Sequence, residues 1–175
     1  MKLFNLSAAR DTQTMKRLFE KYESTWDVLD AGTTMRFCTA YLGIHGKGEV
    51  ITGTPRMKER PIGLLADALI AIGAQIEFLE NEGFPPMRIH GIVDQKTTEI
   101  SIPGNISSQF ISALLMIGPS LKKGLNIHLT TEVFSRPYIE MTLDLMHHFG
   151  IESNWTRDTI SIKHQAYKAS SYIIE

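Results

Sequence analysis

The sequence predicts an α/β (α+β) fold of repeated βαβαββ units, with helices packed inside and sheets outside. Three observations carry this expectation. Strand-like and helix-like segments alternate along the chain, the longest stretches of that alternation recur at a fixed period, and helices such as "LLADALIAIGA" are apolar around most of their circumference. The period is legible in its landmarks: Gly48 and Gly124 lie 76 residues apart, as do Pro61 and Pro137, while Gly73 and Gly150 lie 77 apart. Each stretch runs from a Gly through a helix, a Gly, a strand, an Arg-Pro, a helix, a Gly and a strand.

The elements follow from local pattern. Met15, Leu18, Phe19 and Tyr22 fall at helical spacing behind Asp11-Thr12, and 26–29 reads as a strand ending at Asp30. Together they form the back half of a partial unit, about 5–29, so the chain is expected to begin inside a repeat. The first long unit, about 30–92, reads as a helix over "TTMRFCTAYLG", a strand over "EVITG", and a helix over "PIGLLADALIAIG" closed by Gly73. A strand over "AQIEFLE", a turn at 81–83 and a strand over 87–92 complete it. The second unit, about 98–163, reads as a strand at 98–102, a helix at 108–117, a strand at 125–129 and a helix at 138–149. It ends in a hairpin of 152–155 with 159–163 around Arg157-Asp158. The tail over 166–175 is expected to be a last strand leading toward an absent second domain. The whole of 1–175 is then a single, N-terminally incomplete domain.

Composition bounds the function. With 175 residues and 43% hydrophobic content, the chain can bury a substantial core. No apolar run approaches the roughly 18 residues of a membrane span, and the start "MKLFNLSAARDTQ" lacks the apolar core of a secretory signal, so a cytoplasmic, membrane-free protein is expected. Eighteen Lys and Arg against nineteen Asp and Glu leave a net charge of -1, which disfavours nucleic-acid binding. The six histidines show no metal-ligand spacing, and neither a metal nor a cofactor is expected. His147 and His148 precede Gly150 in the last turn of a helix, where they suit its dipole. The single Cys38 lies in an apolar helical pattern and reads as a packed thiol. A monomer is the simplest expectation.

Four segments place polar groups where anions bind. The loop "TGTPRMKERPIG" sets Arg56, Lys58 and Arg60 between Pro55 and Pro61. Arg offers a planar fork for carboxylate or phosphate, against the competing reading of a solvated loop partly neutralised by Glu59. "PGNISSQF" puts Ser107, Ser108 and Gln109 at a helix start behind Gly104, where free N–H groups favour phosphate. "DAGTT", from Asp30 through Gly32 to Thr34, is the equivalent start in the preceding unit, and "FSRPYIE" places Ser135, Arg136 and Tyr138 at another. Plain N-capping competes at each of these starts. Their symmetry argues for one shared pocket, because repeats bring equivalent helix starts to one side of a stack.

The strings "DAGTTMR", "GTPRMKERPIG", "SSQF-SALLM" and "SRPYIEMT", in this order, resemble the enolpyruvylshikimate phosphate synthase (3-phosphoshikimate 1-carboxyvinyltransferase) family from about Asn5 to the last residue. The resemblance implies one domain of a two-domain enolpyruvyl transferase fold that closes on phosphoenolpyruvate and shikimate 3-phosphate. It implies that Ser107, Ser108, Gln109, Ser135 and Tyr138 contact shikimate 3-phosphate, and that Gly32, Arg56 and Gln109 meet phosphoenolpyruvate. The implied activity moves the enolpyruvyl group to the 5-hydroxyl of shikimate 3-phosphate, in aromatic amino acid and chorismate biosynthesis. The family's catalytic acids and bases fall outside this chain, so none is expected within it and the chain alone is expected to be inactive. The alternative is a stand-alone anion-binding module that has lost catalysis. Two positions depart from the family pattern: Phe37, where Pro is usual, and Asp30, where Asn is frequent. An acid beside an anion site calls for a nearby cation.

Overall fold

The computed structural model describes residues 4–21 and 23–173. Tyr22 of the first helical pattern and the last two tail residues lie outside them. The described residues form helix α1 (Arg10–Glu20), strand β1 (Thr25–Asp27), α2 (Gly32–His45), β2 (Lys47–Thr52), α3 (Pro55–Lys58), α4 (Gly63–Ile72), β3 (Gln75–Phe78) and β4 (Met87–His90). They continue with β5 (Glu99–Ile102), α5 (Ser108–Ile117), β6 (Leu125–Leu129), α6 (Arg136–His148), β7 (Ser153–Thr156) and β8 (Thr159–Ile162).

Two four-stranded sheets share one topology, β1-β2-β4-β3 and β5-β6-β8-β7. In each, the first two strands run parallel across a helical crossover and the last two add as an antiparallel hairpin. The 76-residue sequence period therefore corresponds to a repeated sheet order. One assignment changes. The strand expected at 26–29 as the close of the partial unit is Thr25–Asp27, and it pairs with β2 as β5 pairs with β6. It opens the first full sheet, and it stops early because Leu29 turns the chain at a φ of 55°.

Period-two patterning gives each sheet one inward face. Met87 and Ile89 are buried in β4 while Arg88 and His90 face out, and Ile100 and Ile102 are buried in β5 while Glu99 and Ser101 are exposed. The inner faces cover α2, α4 and α5. Buried residues fall nearly all around α2 and α5, whereas α4 buries one stripe and leaves Leu64, Asp67 and Ile70 exposed; α2 packs directly on α5. A single core links both units. The expectation of helices inside holds in full for α2 and α5 and on one face for α4. α6 packs on α5 but buries only Ile139 and Met146, and α1 buries only Thr14 and Leu18. An aromatic cluster of Phe19, Trp26 and Tyr41 fastens α1 to β1 and α2, with ring centroids 4.9 to 5.9 Å apart. Cys38 is fully buried, as expected, and burial pushes its thiol up to about 12.

On the outer face of the second sheet a polar ladder crosses three strands. Glu99 accepts from Asn126 Nδ2 at 2.6 Å and pairs with His128 Nε2 at 2.6 Å, while His128 Nδ1 meets Thr159 Oγ1 at 2.9 Å. These contacts hold the Glu99 carboxyl below its ordinary range, the Asn126 hydrogen bond most and His128 next.

The tail differs from expectation. No strand forms over 166–173; the chain runs back over helix ends, where its polar groups find partners without a sheet edge. Lys168 N donates to Phe149 O at 2.8 Å, Tyr167 Oη donates to Met116 O at 2.9 Å, and His148 Nε2 lies 2.8 Å from Ser171 O. Burial pushes the Tyr167 hydroxyl up to about 12.

Leu114 is fully buried on α5, within the single core. Leu114→Ala is therefore expected to cost about 2–5 kcal/mol. Urea unfolding followed by circular dichroism checks this, and a loss below about 1 kcal/mol would contradict one shared core.

Candidate functional site

Topology brings the helix starts of each unit to one edge. β1 and β2 are parallel, so the segments that follow them, leading into α2 and α3, leave the first sheet at one edge. β5 and β6 do the same with α5 and α6. Gln109 Nε2 then joins the two units, donating to Thr33 Oγ1 at 2.9 Å across a separation of 76 residues, one repeat period. Within the second unit, Asn105 N donates to Thr131 Oγ1 at 3.0 Å and ties together the loops that precede α5 and α6. Gly32, Arg56, Ser107, Ser108, Gln109, Ser135 and Tyr138 accordingly belong to one set of helix starts, with Ser107 and Tyr138 exposed and Ser108, Gln109 and Ser135 half-buried.

The first unit supplies a cleft of about 430 Å³ lined by Asp30, Arg56, Met57 and Arg60. The expected loop contains a helical turn, α3, capped by Thr54 Oγ1 on Met57 N at 3.4 Å and pinned by the buried Met57. Lys58 leaves the cleft to pair with Glu80 at 2.6 Å. Neutralisation of the loop thus falls on Lys58 and comes from Glu80, where Glu59 was the expected counter-charge. Pro61 stands just outside α4, whose cap is Ile62.

Two more guanidinium groups reach the start of α2. A Cβ at Gly32 would collide with Arg60 Nη1 and stand 3.0 Å from Arg36 Nη1, so glycine leaves room for both. Arg36 is buried; its Nη1 donates to Gly32 O at 2.9 Å, and its Cζ lies 5.6 Å from the Phe110 ring centre. Its Nε has no hydrogen-bond partner among the described residues. Burial first, then the Arg60 charge, bring the Arg36 guanidinium down to about 10, which leaves it protonated at neutral pH. Sequence reasoning named Arg60 beside Arg56 in the basic loop and placed Thr33 in a hydroxyl-bearing helix start, but assigned a ligand only to Arg56 and passed over Arg36. The available signals were the i+4 spacing of Arg36 from Gly32 and the place of Arg60 in the basic loop.

Capping does not use up these polar groups. α2 is preceded by Ala31, which cannot cap, and neither Ser107 before α5 nor Ser135 before α6 makes a side-chain cap hydrogen bond. Asp30 does not cap either. Its Oδ2 pairs with Arg10 Nη1 at 2.6 Å, and that hydrogen bond, with Arg56 as a further cation, holds the carboxyl below its ordinary range. The cation that an acid at this position calls for is thus Arg10. Phe37 is partly buried against the core.

Two outcomes follow. In a double-mutant cycle, Thr33→Val and Gln109→Leu should couple by about 0.5–1.5 kcal/mol, and additive losses in urea unfolding would mean that the bond does not join the units. A depressed Asp30 pKa gives a stabilising contribution that is present above the unfolded value and lost as pH falls through the folded one. Acid titration of thermal stability should therefore show a shallower fall for Asp30→Asn than for the unmodified chain, and parallel curves would contradict the pairing.

The EPSP synthase (3-phosphoshikimate 1-carboxyvinyltransferase) family model matches residues 4–175. The 3-phosphoshikimate 1-carboxyvinyltransferase of Bacteroides fragilis strain YCH46 is 50% identical over 178 residues, covering 99% of this chain and 42% of that protein. The enzyme of that name from Vibrio vulnificus strain YJ016 is 52% identical over 124 residues, covering 70% of this chain and 28% of the relative. Among solved structures, EPSP synthase from Acinetobacter baumannii superposes with a TM-score of 0.70 at 23% identity, over 82% of this chain and 31% of that one, which supports the fold. The chain spans less than half the length of these relatives. Family model, relatives and fold agree, and the chain belongs to the EPSP synthase (3-phosphoshikimate 1-carboxyvinyltransferase) family.

Proposed function

We propose that this chain carries the anion-positioning part of a transferase that moves the enolpyruvyl group of phosphoenolpyruvate to the 5-hydroxyl of shikimate 3-phosphate. The observation that supports the reading is the Gln109–Thr33 hydrogen bond, which runs from the uncapped start of α5 to the start of α2, where Arg36 and Arg60 approach Gly32. Arg56, with Arg36 and Arg60 around Gly32, suits the carboxylate and phosphate of phosphoenolpyruvate. The hydroxyls of Ser107, Ser108 and Ser135 suit the phosphate of shikimate 3-phosphate, with Tyr138 toward its ring and Gln109 between the two ligands.

In the reaction, the 5-hydroxyl oxygen bonds to C2 of phosphoenolpyruvate as C3 takes a proton and the hydroxyl proton leaves to a base. Expulsion of phosphate and loss of a C3 proton from the tetrahedral adduct restore the double bond. Anion clamps fix the two reactants side by side, which converts a bimolecular encounter into an oriented one. They move no protons, so turnover needs an acid and a base from residues beyond those assembled here. The proposed setting is the cytoplasm, with the chain a monomer whose partner is the rest of the enzyme. Among the described residues no helix is long and apolar enough to cross a membrane.

Phosphate release from phosphoenolpyruvate and shikimate 3-phosphate is the test. The 175-residue chain alone should show no release above the protein-free control, and added complementary half should restore some. In that pair Arg56→Ala should slow release by roughly thirtyfold, the equivalent of about 2 kcal/mol. Turnover by the chain alone would overturn this division of labour, and tight calorimetric binding of shikimate 3-phosphate without turnover would favour a stand-alone binding module.

A further inference from the structure

We propose that Asp30 is a specificity-determining residue of the arginine cleft, and that Arg10, reaching in from α1, keeps its carboxylate off the cleft's guanidinium groups. The proposal rests on the reading that this cleft takes a small carboxylate or phosphate anion.

The cleft contains its own competitor. Its walls carry two exposed guanidinium groups, Arg56 and Arg60, and one carboxylate, Asp30. A carboxylate on the wall offers Arg the same planar pair of acceptors as an anionic ligand, so an unrestrained Asp30 would occupy the receptor in place of the ligand. The backbone at this point has little freedom to withdraw it. Ala31 N donates to Val28 O at 3.0 Å, Leu29 N to Asp27 Oδ1 at 2.8 Å, and Thr54 N to Leu29 O at 3.0 Å, which together hold the turn that bears Asp30. The choice between ligand-like and withdrawn positions falls to the side-chain rotamer.

Arg10 settles that choice. Its Nη1 lies 2.6 Å from Asp30 Oδ2, and no other hydrogen bond of Arg10 competes for it among those described. The first turn of α1 is held against α2 by Thr34 Oγ1 donating to Asp11 O at 3.3 Å, and further along by Arg17 Nη2 donating to Asp27 O and by Phe19 against Trp26 and Tyr41. Arg10 is therefore delivered to Asp30 by a docked helix, although both side chains remain solvated, at 69% and 44% exposure. With the Asp30 carboxylate turned to Arg10, the donors of Arg56 and Arg60 stay open to a ligand. The carboxylate still stands at the rim, where it disfavours anions with a second charge on that side. A small anion that directs its charge at Arg56 and Arg60 and turns its neutral part toward Asp30 is the favoured class.

A mutant cycle read by chemical-shift titration of the full chain tests this, with phosphoenolpyruvate and inorganic phosphate as probes at low ionic strength. Arg10→Ala should weaken phosphoenolpyruvate binding by roughly three- to tenfold, and Asp30→Asn should strengthen it by a similar factor. Arg10→Ala placed on Asp30→Asn should change affinity by less than about twofold, since the charge it restrained is gone. Arg10→Lys should restore most of the affinity, and backbone shifts away from the cleft show whether each variant is folded. Equal losses from Arg10→Ala in both backgrounds would overturn the proposal and make Arg10 a plain attractor of anions. Unchanged affinity in Asp30→Asn would also overturn it. Arg56→Ala separates the two levels: if it too leaves binding unchanged, the cleft reading itself fails, whereas weaker binding in Arg56→Ala beside a silent Arg10–Asp30 pair sinks only this inference.

Discussion

Every feature of the helix-start edge depends on two pairs of parallel strands, β1 with β2 and β5 with β6, being held in one orientation by the helices packed between their sheets. A parallel pair sends both following segments off the same edge, and the second unit repeats the arrangement of the first. What aligns the units is burial of α2 and α5, since each fully buried Leu, Ile or Met contributes roughly 1.5–3 kcal/mol and these helices present many. The Gln109–Thr33 bond contributes about 1 kcal/mol and so cannot be the force that assembles the units. Its part is to fix which turn of α5 faces which turn of α2. A one-turn slide would move Ser108 about 5.4 Å along the helix axis and separate it from the arginine cleft.

The charges at α2 are unfavourable in isolation. The positive end of a helix dipole faces Arg60 and Arg36, and Arg36 is buried with Nε unpartnered among the described residues. Burying a cation with an unmade donor costs more than its contact with the Phe110 ring or its bond to Gly32 O returns, and a second cation nearby adds to that cost. Local rules of stability are violated here, as they are at Leu29 with its φ of 55° and at the uncapped starts of α2, α5 and α6. Such violations concentrate at sites shaped for a ligand, and a ligand that relieved three guanidinium groups and a helix start would be an anion.

How much of this was readable in the sequence varied with the physics behind each feature. The α/β class and the helix interior were legible because Gly and Pro spacing and apolar periodicity are local signals, and α5 and β6 fall on the residues that local pattern indicates. The ownership of β1 was not, because pairing is non-local: Trp26 looks the same whether its strand closes one sheet or opens the next. α3 hid inside a loop because four residues show no periodicity. The tail looked like a strand from its composition, yet it lies where Lys168 N meets the Phe149 carbonyl and Tyr167 Oη that of Met116. Within the site, hydroxyls at helix starts stood out, whereas Arg36 offered only its i+4 spacing from Gly32, because its role depends on the close approach of Arg60 across Gly32.

Openness limits what these charges can accomplish. Arg56 and Arg60 are exposed, so a ligand atom 4 Å from either feels about 1 kcal/mol of attraction at the dielectric of water and about 4 kcal/mol at the effective value of 20 near a protein surface. The difference comes entirely from excluding water. A body that covered this edge would therefore strengthen every contact severalfold without moving one residue of the chain. The same exclusion would sharpen the contrast between Asp30 held by Arg10 and Asp30 released, because the repulsion it exerts on a bound anion grows by the same factor. A half-site of the proposed kind would bind weakly and select weakly by itself, and closing it would raise both properties together.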